Sequence, residues 1–130
     1  MKILCFIALF GAFNLSRLDS SDFYERLNNA ENAVLLDVRD IDEFCNSRIP
    51  GAIWSGRRVV LDSLLKDLDK KAIFFIYCDL GGRSEEVARI LKKSKIKNVI
   101  MLKEGFIKWQ RDNFPIDDSP LSPEECNRLY

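Results

Sequence analysis

Histidine is absent from this chain of 130 residues. Without imidazole, the chain cannot form a Ser-His-Asp hydrolase site, a Cys-His protease site or a histidine-ligated zinc site. Its four cysteines include no Cys-x-x-Cys pair, the usual signal for dithiol exchange or for thiolate zinc binding. Any catalysis must therefore proceed without an imidazole base, and we expect neither a metal nor another cofactor.

A net charge is also absent, because 20 lysine and arginine residues balance 20 aspartate and glutamate residues. Such a chain has no global positive potential that would attract nucleic acid or an anionic membrane. We therefore expect no nucleic-acid partner. The length and the apolar fraction of 47% predict a single globular domain with a core of its own.

The apolar run Ile3–Phe13 is too short for a comfortable membrane span. Because it follows a single lysine near the chain start, it suits the apolar region of a secretory signal. We expect residues 1–16 to be a signal peptide or an uncleaved N-terminal anchor, and the protein to be exported to the periplasm or secreted. Gly11 and Ser16 are the tolerable cleavage positions, and a buried first strand or helix is the alternative.

Strand-like and helix-like segments alternate along residues 17–118, which predicts one α/β domain with a largely parallel sheet. The predicted strands are Ala33–Leu36, a short segment at Ile53, Ala72–Tyr77 and Asn98–Leu102. The predicted helices are Ser20–Asn29, Asp40–Phe44, Val59–Leu68, Ser84–Lys93 and Glu104–Gln110. Residues 119–130 are predicted to be a polar tail, in which residues 122–125 could open one last helical turn.

The segment most suited to chemistry directly follows the central strand and runs from Cys78 to Ser84. Ligands of parallel α/β sheets bind outside the carboxyl ends of the strands. Gly81 and Gly82 would let backbone N–H groups converge on one point, and the following helix would add its unpaired first-turn donors. Such a cup would stabilise a Cys78 thiolate and accept an anionic substrate. The alternative is a simple bend in which Cys78 packs into the core.

The chain resembles the rhodanese family at five places that follow one another in the family order. The matching segments are Leu35–Arg39 with Asp42–Phe44, Arg48–Ile53, Tyr77–Ser84, Leu102–Gly105 with Trp109, and Asn113–Ile116. The resemblance implies the rhodanese fold, an α/β architecture with a mainly parallel five-stranded sheet and helices on both faces.

It also implies a sulfurtransferase that works in two steps. The Cys78 thiolate would take a sulfur atom from a donor, such as thiosulfate or a persulfide, and pass it to cyanide or to a thiol, which a partner protein could carry. The resemblance assigns substrate binding to the rest of the loop: Asp79, Leu80, Gly81, Gly82, Arg83 and Ser84. Arg83 would brace the loop or bind an oxyanion, while Asp37 and Glu43 would hold Arg39 or Arg83 in place.

Three departures from the family pattern bear on the substrate. Arg48 replaces a common histidine, and Glu104 replaces the first glycine of its motif. Asp79 and Leu80 occupy positions where members that use thiosulfate often carry a basic residue. A carboxylate at this place would repel a dianion by about 1 kcal/mol. We therefore expect weak activity with thiosulfate and a different donor, such as a persulfide or a partner protein.

Two other functions are compatible with the same loop. A cysteine phosphatase or arsenate reductase of a related fold would need one more residue between Cys78 and Arg83. A non-catalytic module could carry sulfur, sense the redox state or bind a partner. Export would also permit a disulfide between Cys45 and Cys126, and two unpaired thiols are the alternative.

Overall fold

The computed structural model describes residues 11–130, which form a central five-stranded sheet. Its strands are β1 (Asn14–Leu18), β2 (Ala33–Asp37), β3 (Ile53–Trp54), β4 (Ile73–Tyr77) and β5 (Asn98–Leu102). The strand order is β1-β5-β4-β2-β3, and every pairing of neighbouring strands is parallel. The carboxyl ends of β2, β3 and β4 therefore lie side by side at one edge of the sheet.

Six helices accompany this sheet within the described residues. They are α1 (Ser20–Asn29), α2 (Ile41–Asn46), α3 (Arg58–Asp67), α4 (Gly82–Lys93), α5 (Gly105–Arg111) and α6 (Pro123–Asn127). No helix of residues 11–130 combines the length and the apolar character needed to cross a membrane.

Alternation along β4 explains why the sheet is covered on both faces. Phe74 and Ile76 point into a core shared with α3 and α4, whereas Phe75 and Tyr77 point into a core shared with α1 and α5. All four side chains are fully buried, as expected when successive residues of a central strand face opposite layers. The architecture implied by the family resemblance, a parallel five-stranded sheet with helices on both faces, is thereby confirmed.

The start of α2 illustrates how local sequence sets an element. The Asp40 side chain and the Glu43 side chain form a reciprocal capping box, as their spacing predicts. Helix α4, in contrast, begins at Gly82 and not at Ser84, so the last residues of the predicted loop are its first turn.

The first strand of the sheet includes residues that precede the predicted domain boundary. Strand β1 starts at Asn14 and pairs with β5 over its whole length, and Phe13 and Leu15 pack against the core. Strand β1 therefore spans the boundary predicted between residues 16 and 17, and the division of the chain at this point stays a prediction. The predicted signal or anchor otherwise lies mostly in residues 1–10, outside the described part of the chain.

The segment predicted to be a polar tail is also part of the packed domain. Cys126 forms a disulfide with Cys45, with the two Cα atoms 6.0 Å apart. Leu121 and Leu129 pack with Cys126 against a cluster around Phe44. The polar composition of this segment did not predict its packing, because a few apolar residues and one cysteine are enough to attach a short helix to the domain.

Candidate active site

Cys78 lies at the point where β4 ends, at the floor of a cavity of about 240 Å³. Its side chain is only 3% exposed, and it contacts the core shared with α3 and α4 on its inner side. The backbone N–H of Gly81 donates a hydrogen bond to Cys78 Sγ over 3.0 Å. The sulfur therefore faces the cavity on one side and the core on the other. The Gly81 N–H would stabilise a negative charge on this sulfur.

The loop around this sulfur continues directly into α4. Gly81 is the N-cap of the helix and has no side chain to cap it. The first-turn N–H groups of an uncapped helix lack an intrahelical acceptor and face the position where an anion can bind. In the cup predicted from the two glycines, the Gly81 N–H contacts the sulfur, and the uncapped first turn of α4 follows directly.

Two glycines are sterically required at this site, and only one of them belongs to the loop. Gly81 adopts a φ of 101°, and a Cβ there would lie 2.8 Å from the Lys103 carbonyl oxygen. Gly105 adopts a φ of 76°, and a Cβ there would overlap the Asp79 carbonyl. Gly82 has open space at the same position. This geometry also explains why Glu104 is compatible with the fold, since only the second glycine of that motif is constrained.

Helix α5 holds the loop from the other side of the sheet. The N–H of Phe106 donates to the Cys78 carbonyl oxygen over 2.8 Å, and the N–H of Ile107 donates to the Asp79 carbonyl oxygen over 3.3 Å. The first turn of α5 therefore finds its acceptors in the loop, which fixes the backbone on both sides of the sulfur.

Arg39 is a buried cation that lines the same cavity. Its guanidinium binds the Asp37 carboxylate, with Nη2 2.7 Å from Oδ2, and donates to the Ser47 carbonyl oxygen over 2.6 Å. It also lies 4.0 Å from the centroid of the Phe106 ring. The predicted support of Arg39 by Asp37 is therefore present in the structure.

Tyr77 completes this buried network. Its hydroxyl donates to Asp37 Oδ2 over 2.6 Å and accepts from the N–H of Ile49 over 3.1 Å. Burial, and secondarily the Asp37 carboxylate, raise the pKa of Tyr77 far above its ordinary value. The phenol therefore stays neutral and acts as a donor that helps to orient Asp37.

Arg83 is held by a partner that its sequence did not predict. Its Nη1 lies 2.8 Å from Asp40 Oδ1, and both side chains are largely exposed. This hydrogen bond lowers the pKa of the Asp40 carboxyl. Of the two arginines that Asp37 was expected to hold, it therefore pairs with Arg39, while the ion-pair partner of Arg83 is Asp40.

Glu43 instead faces the carboxyl group of Asp79. The interaction with the Asp79 carboxyl is the main cause that raises the pKa of Glu43, and burial adds to it. Asp79 itself lines the Cys78 cavity, as do Leu80, Gly82 and Arg83. An acidic group thus stands at the wall of the cavity, as expected from the sequence.

Two further observations concern the predicted substrate-binding residues. The Ser84 hydroxyl is buried and has no hydrogen-bond partner among the described residues. Leu80, in contrast, is 73% exposed at the rim of the cavity. The roles assigned to residues 78–84 stay predictions, although the loop brings them together.

Sequence reasoning missed four residues that support the site, because only tertiary contacts reveal them: Asp40, Ser47, Tyr77 and Phe106.

The comparison with known proteins agrees with this geometry. A family model described as the Rhodanese-like domain matches residues 19–112. The thiosulfate sulfurtransferase GlpE of Actinobacillus succinogenes is 35% identical over 88 residues, which are 67% of this chain and 78% of GlpE. YrkF of Bacillus subtilis, named as a candidate sulfur carrier protein, is 30% identical over 98 residues. That match covers 75% of this chain and 52% of YrkF, so the chain spans about half the length of this relative.

Among solved structures, the Alr3790 protein of Anabaena sp. superimposes with a TM-score of 0.72. Its sequence identity is 20%, and the match covers 86% of this chain and 91% of the Anabaena chain. At this identity the likeness concerns the fold alone.

Proposed function

Because the chain belongs to the rhodanese-like domain family, we propose that it is a sulfurtransferase that carries sulfane sulfur as a persulfide on Cys78. The observation that carries this proposal is the position of Cys78 Sγ at the floor of an open cavity, 3.0 Å from the Gly81 N–H. A nucleophilic thiolate needs both features, an N–H donor that favours the anion and an open side for the donor molecule.

The transfer of sulfur to Cys78 requires no proton donor. With thiosulfate, the Cys78 thiolate attacks the outer sulfur, the sulfur–sulfur bond of thiosulfate breaks, and sulfite leaves with the bonding electrons. With an organic persulfide as donor, the leaving group is the donor's thiolate. The lack of histidine in the chain is compatible with this chemistry, since both leaving groups are stable anions in water.

The bound sulfur would occupy the cup formed by the first turn of α4. The uncapped N–H groups of this turn and the unpartnered hydroxyl of Ser84 are the available donors. A persulfide anion at this position would satisfy a buried hydroxyl that otherwise has no partner, which is favourable because unpaired buried polar groups are costly. Arg39 and Arg83 supply positive charge at the wall.

The donor is better sought among persulfides than in thiosulfate. Thiosulfate is a dianion, and Asp79 and Glu43 place carboxyl groups beside the cavity. An organic persulfide, free or on a partner protein, carries less charge and could contact the exposed side chain of Leu80. A thiol, including a protein thiol, is the acceptor that we expect.

Mass spectrometry of the purified protein tests the proposal. After incubation with a low-molecular-weight persulfide, we expect a gain of about 32 Da, one sulfur atom, on the peptide that contains Cys78. Brief treatment with cyanide should remove this mass and produce thiocyanate. The Cys78→Ser variant should gain no mass on this peptide.

A persulfide found only on other cysteines, or sulfur transfer by Cys78→Ser at the wild-type rate, would contradict the proposal. Sulfur that loads on Cys78 but passes only to a protein thiol would favour the carrier function. An assay with an aryl phosphate should show no hydrolysis, because only four residues separate Cys78 from Arg83.

A further inference from the structure

A second cleft, of about 260 Å³, lies next to the Cys78 cavity. It opens where the chain leaves β2 and β3, at Val38 and at Ser55, and it runs between α3 and α4. Arg83 lines both the cleft and the Cys78 cavity, so the two spaces are neighbours. No step of the proposed transfer of sulfur to Cys78 uses this cleft.

One part of the cleft wall is apolar. Val38 and Leu61 are buried at its base, while Val87 and Ile90 on α4 are half-buried at its side. A ligand that is only a small inorganic anion would leave these side chains without a contact. The wall therefore suits an organic group of a few carbon atoms.

The other part of the wall is positively charged. Arg57, Arg58 and Arg83 line the cleft against a single carboxylate, that of Glu86. The first turn of α3 contributes no acidic residue that would offset these charges. Guanidinium groups bind carboxylates through paired N–H donors, so the lining favours an organic anion with a carboxylate.

The three guanidinium groups are held only by weak surface contacts. Arg58 Nε lies 2.8 Å from Asp62 Oδ1, and both side chains are exposed. Arg57 stacks on the ring of Tyr130 at 5.0 Å from its centroid, and Arg83 pairs with Asp40. Exposed ion pairs contribute at most about 1 kcal/mol. A ligand carboxylate could therefore replace or extend these contacts at little cost.

We propose that this cleft is the acceptor subsite, and that it binds the carboxylate and the aliphatic part of a small organic thiol. The inference rests on the proposed function, because it assigns the second half of the same reaction. The acceptor thiolate attacks the outer sulfur of the Cys78 persulfide. The sulfur–sulfur bond breaks, the acceptor becomes a persulfide, and the Cys78 thiolate leaves with the electron pair, so no oxidant or reductant is consumed.

A series of thiols tests the subsite on the persulfide-loaded protein. The thiols are 3-mercaptopropionate, neutral 2-mercaptoethanol and cationic cysteamine. For wild type we expect the highest kcat/KM with the carboxylate. In the Arg57→Gln/Arg58→Gln variant, the ratio of kcat/KM for 3-mercaptopropionate to that for 2-mercaptoethanol should fall roughly fivefold, which corresponds to about 1 kcal/mol.

Arg89→Gln is the matched control, because Arg89 is an exposed arginine of α4 outside the cleft lining. This variant should keep the wild-type ratio. An equal ratio in all three proteins, or an equal fall in both variants, would overturn the proposal. Differences among the thiols in intrinsic reactivity cancel, because each ratio is compared between proteins.

A binding experiment separates this inference from the proposed function. We expect the thioether 3-(methylthio)propionate, which cannot accept sulfur, to shift the methyl NMR signals of Val38, Leu61, Val87 and Ile90 in the unloaded wild-type protein. The shifts should weaken in Arg57→Gln/Arg58→Gln. Absence of these shifts in wild type would overturn the subsite even if Cys78 carries sulfur. Shifts without any persulfide on Cys78 would instead contradict the proposed function and leave a carboxylate site.

Discussion

Asp37 is the residue on which the buried part of the site depends. Its carboxylate accepts hydrogen bonds from the Arg39 guanidinium, from the Arg39 N–H and from the Tyr77 hydroxyl. Asp37 and Arg39 are almost fully buried, and a buried ion pair is stable only when its remaining polar atoms also find partners. The Ser47 carbonyl and the Tyr77 hydroxyl provide these partners.

The side chain of Asp79 should control the use of thiosulfate. Asp79→Lys reverses the charge at the cavity wall, and we expect kcat/KM for thiosulfate to rise at least about fivefold, the equivalent of roughly 1 kcal/mol. Asp42→Lys makes the same charge change on the exposed side of α2, outside the cavity lining, and should have little effect. A wild-type KM for thiosulfate in the low micromolar range would contradict the role given to Asp79.

The contact between Glu43 and Asp79 predicts a dependence of stability on pH. The raised pKa of Glu43 means that the folded protein binds more protons than the unfolded chain just above the ordinary value of 4.5. The contribution of this group to stability is therefore present below that value and is lost as the pH rises through the raised pKa. Relative to Glu43→Gln, the wild-type free energy of unfolding should fall over this interval in urea titrations. A difference between the two proteins that is constant with pH would contradict this assignment.

At the scale of elements, the site depends on the contact between the Cys78 loop and α5. The first N–H groups of α5 bind carbonyl groups of the loop, and Gly105 permits the close approach. The conformation of the Cys78 loop thus depends on α5, which begins more than twenty residues after the loop in the chain. This explains why the glycine of the fourth matching segment is needed although it lies outside the loop.

Replacing Gly105 should therefore damage the site from outside the loop. Gly105→Ala places a Cβ against the Asp79 carbonyl and forces an alanine into a positive φ, so we expect a loss of about 1–3 kcal/mol in the free energy of unfolding. The rate of Cys78 alkylation should change as well, because the loop must move. Gly82→Ala is the matched comparison for stability, since a Cβ there meets open space. Equal unfolding free energies for the two variants would contradict the role of Gly105.

Strand β1 imposes a limit on any processing of the N-terminus. Export stays a prediction, but a cut after Ser16 would remove three residues that pair with β5. A cut after Gly11 would leave the strand and Phe13 intact. If the exported protein is cleaved, its measured mass should therefore correspond to a start at or before Phe13. A mature protein that starts at Arg17 and remains folded would contradict the importance of this edge strand.

At the scale of the whole molecule, the disulfide ties the C-terminal segment to the side of the sheet that carries the site. Cys45 belongs to α2, the helix that also carries Glu43 and follows Asp40. Tyr130 packs on Trp54, whose indole N–H donates to the Arg39 carbonyl oxygen. The last residues of the chain thus support the same segment from which Arg39 and Asp40 extend into the site.

Loss of the disulfide should lower global stability. It closes a loop with a sequence separation of 81 residues, and bonds of this kind contribute about 2–4 kcal/mol. We expect Cys126→Ser to unfold at correspondingly lower urea concentration, and Cys45→Ser to show a similar loss. Reduced wild type should resemble the two variants, while a reductant should not change them further. A wild type that is unaffected by reduction would contradict the expected contribution.

Sequence reasoning predicted the elements that depend on neighbouring residues. The apolar run of β4, the capping box of α2 and the spacing of apolar residues on α4 are all local signals, and the structure confirms these elements. The candidate catalytic loop was found for the same reason, because its chemistry is contiguous in the chain. Strand β1 was expected only as the alternative, because an edge strand that begins beside an apolar run resembles the end of a signal sequence.

The sequence by itself thus determined the α/β class, the order of the elements from α1 to α5 and the identity of the candidate nucleophile, since each depends on residues close together in the chain. Only the tertiary structure decided that Asp40 holds Arg83 across 43 positions, that Glu43 faces Asp79, that Cys45 binds Cys126, and that three arginines surround a cleft beside Cys78. These features depend on which distant segments meet when the sheet assembles. Local patterns carry no information about such meetings, because they describe which face of an element is buried and not which side chain will face it.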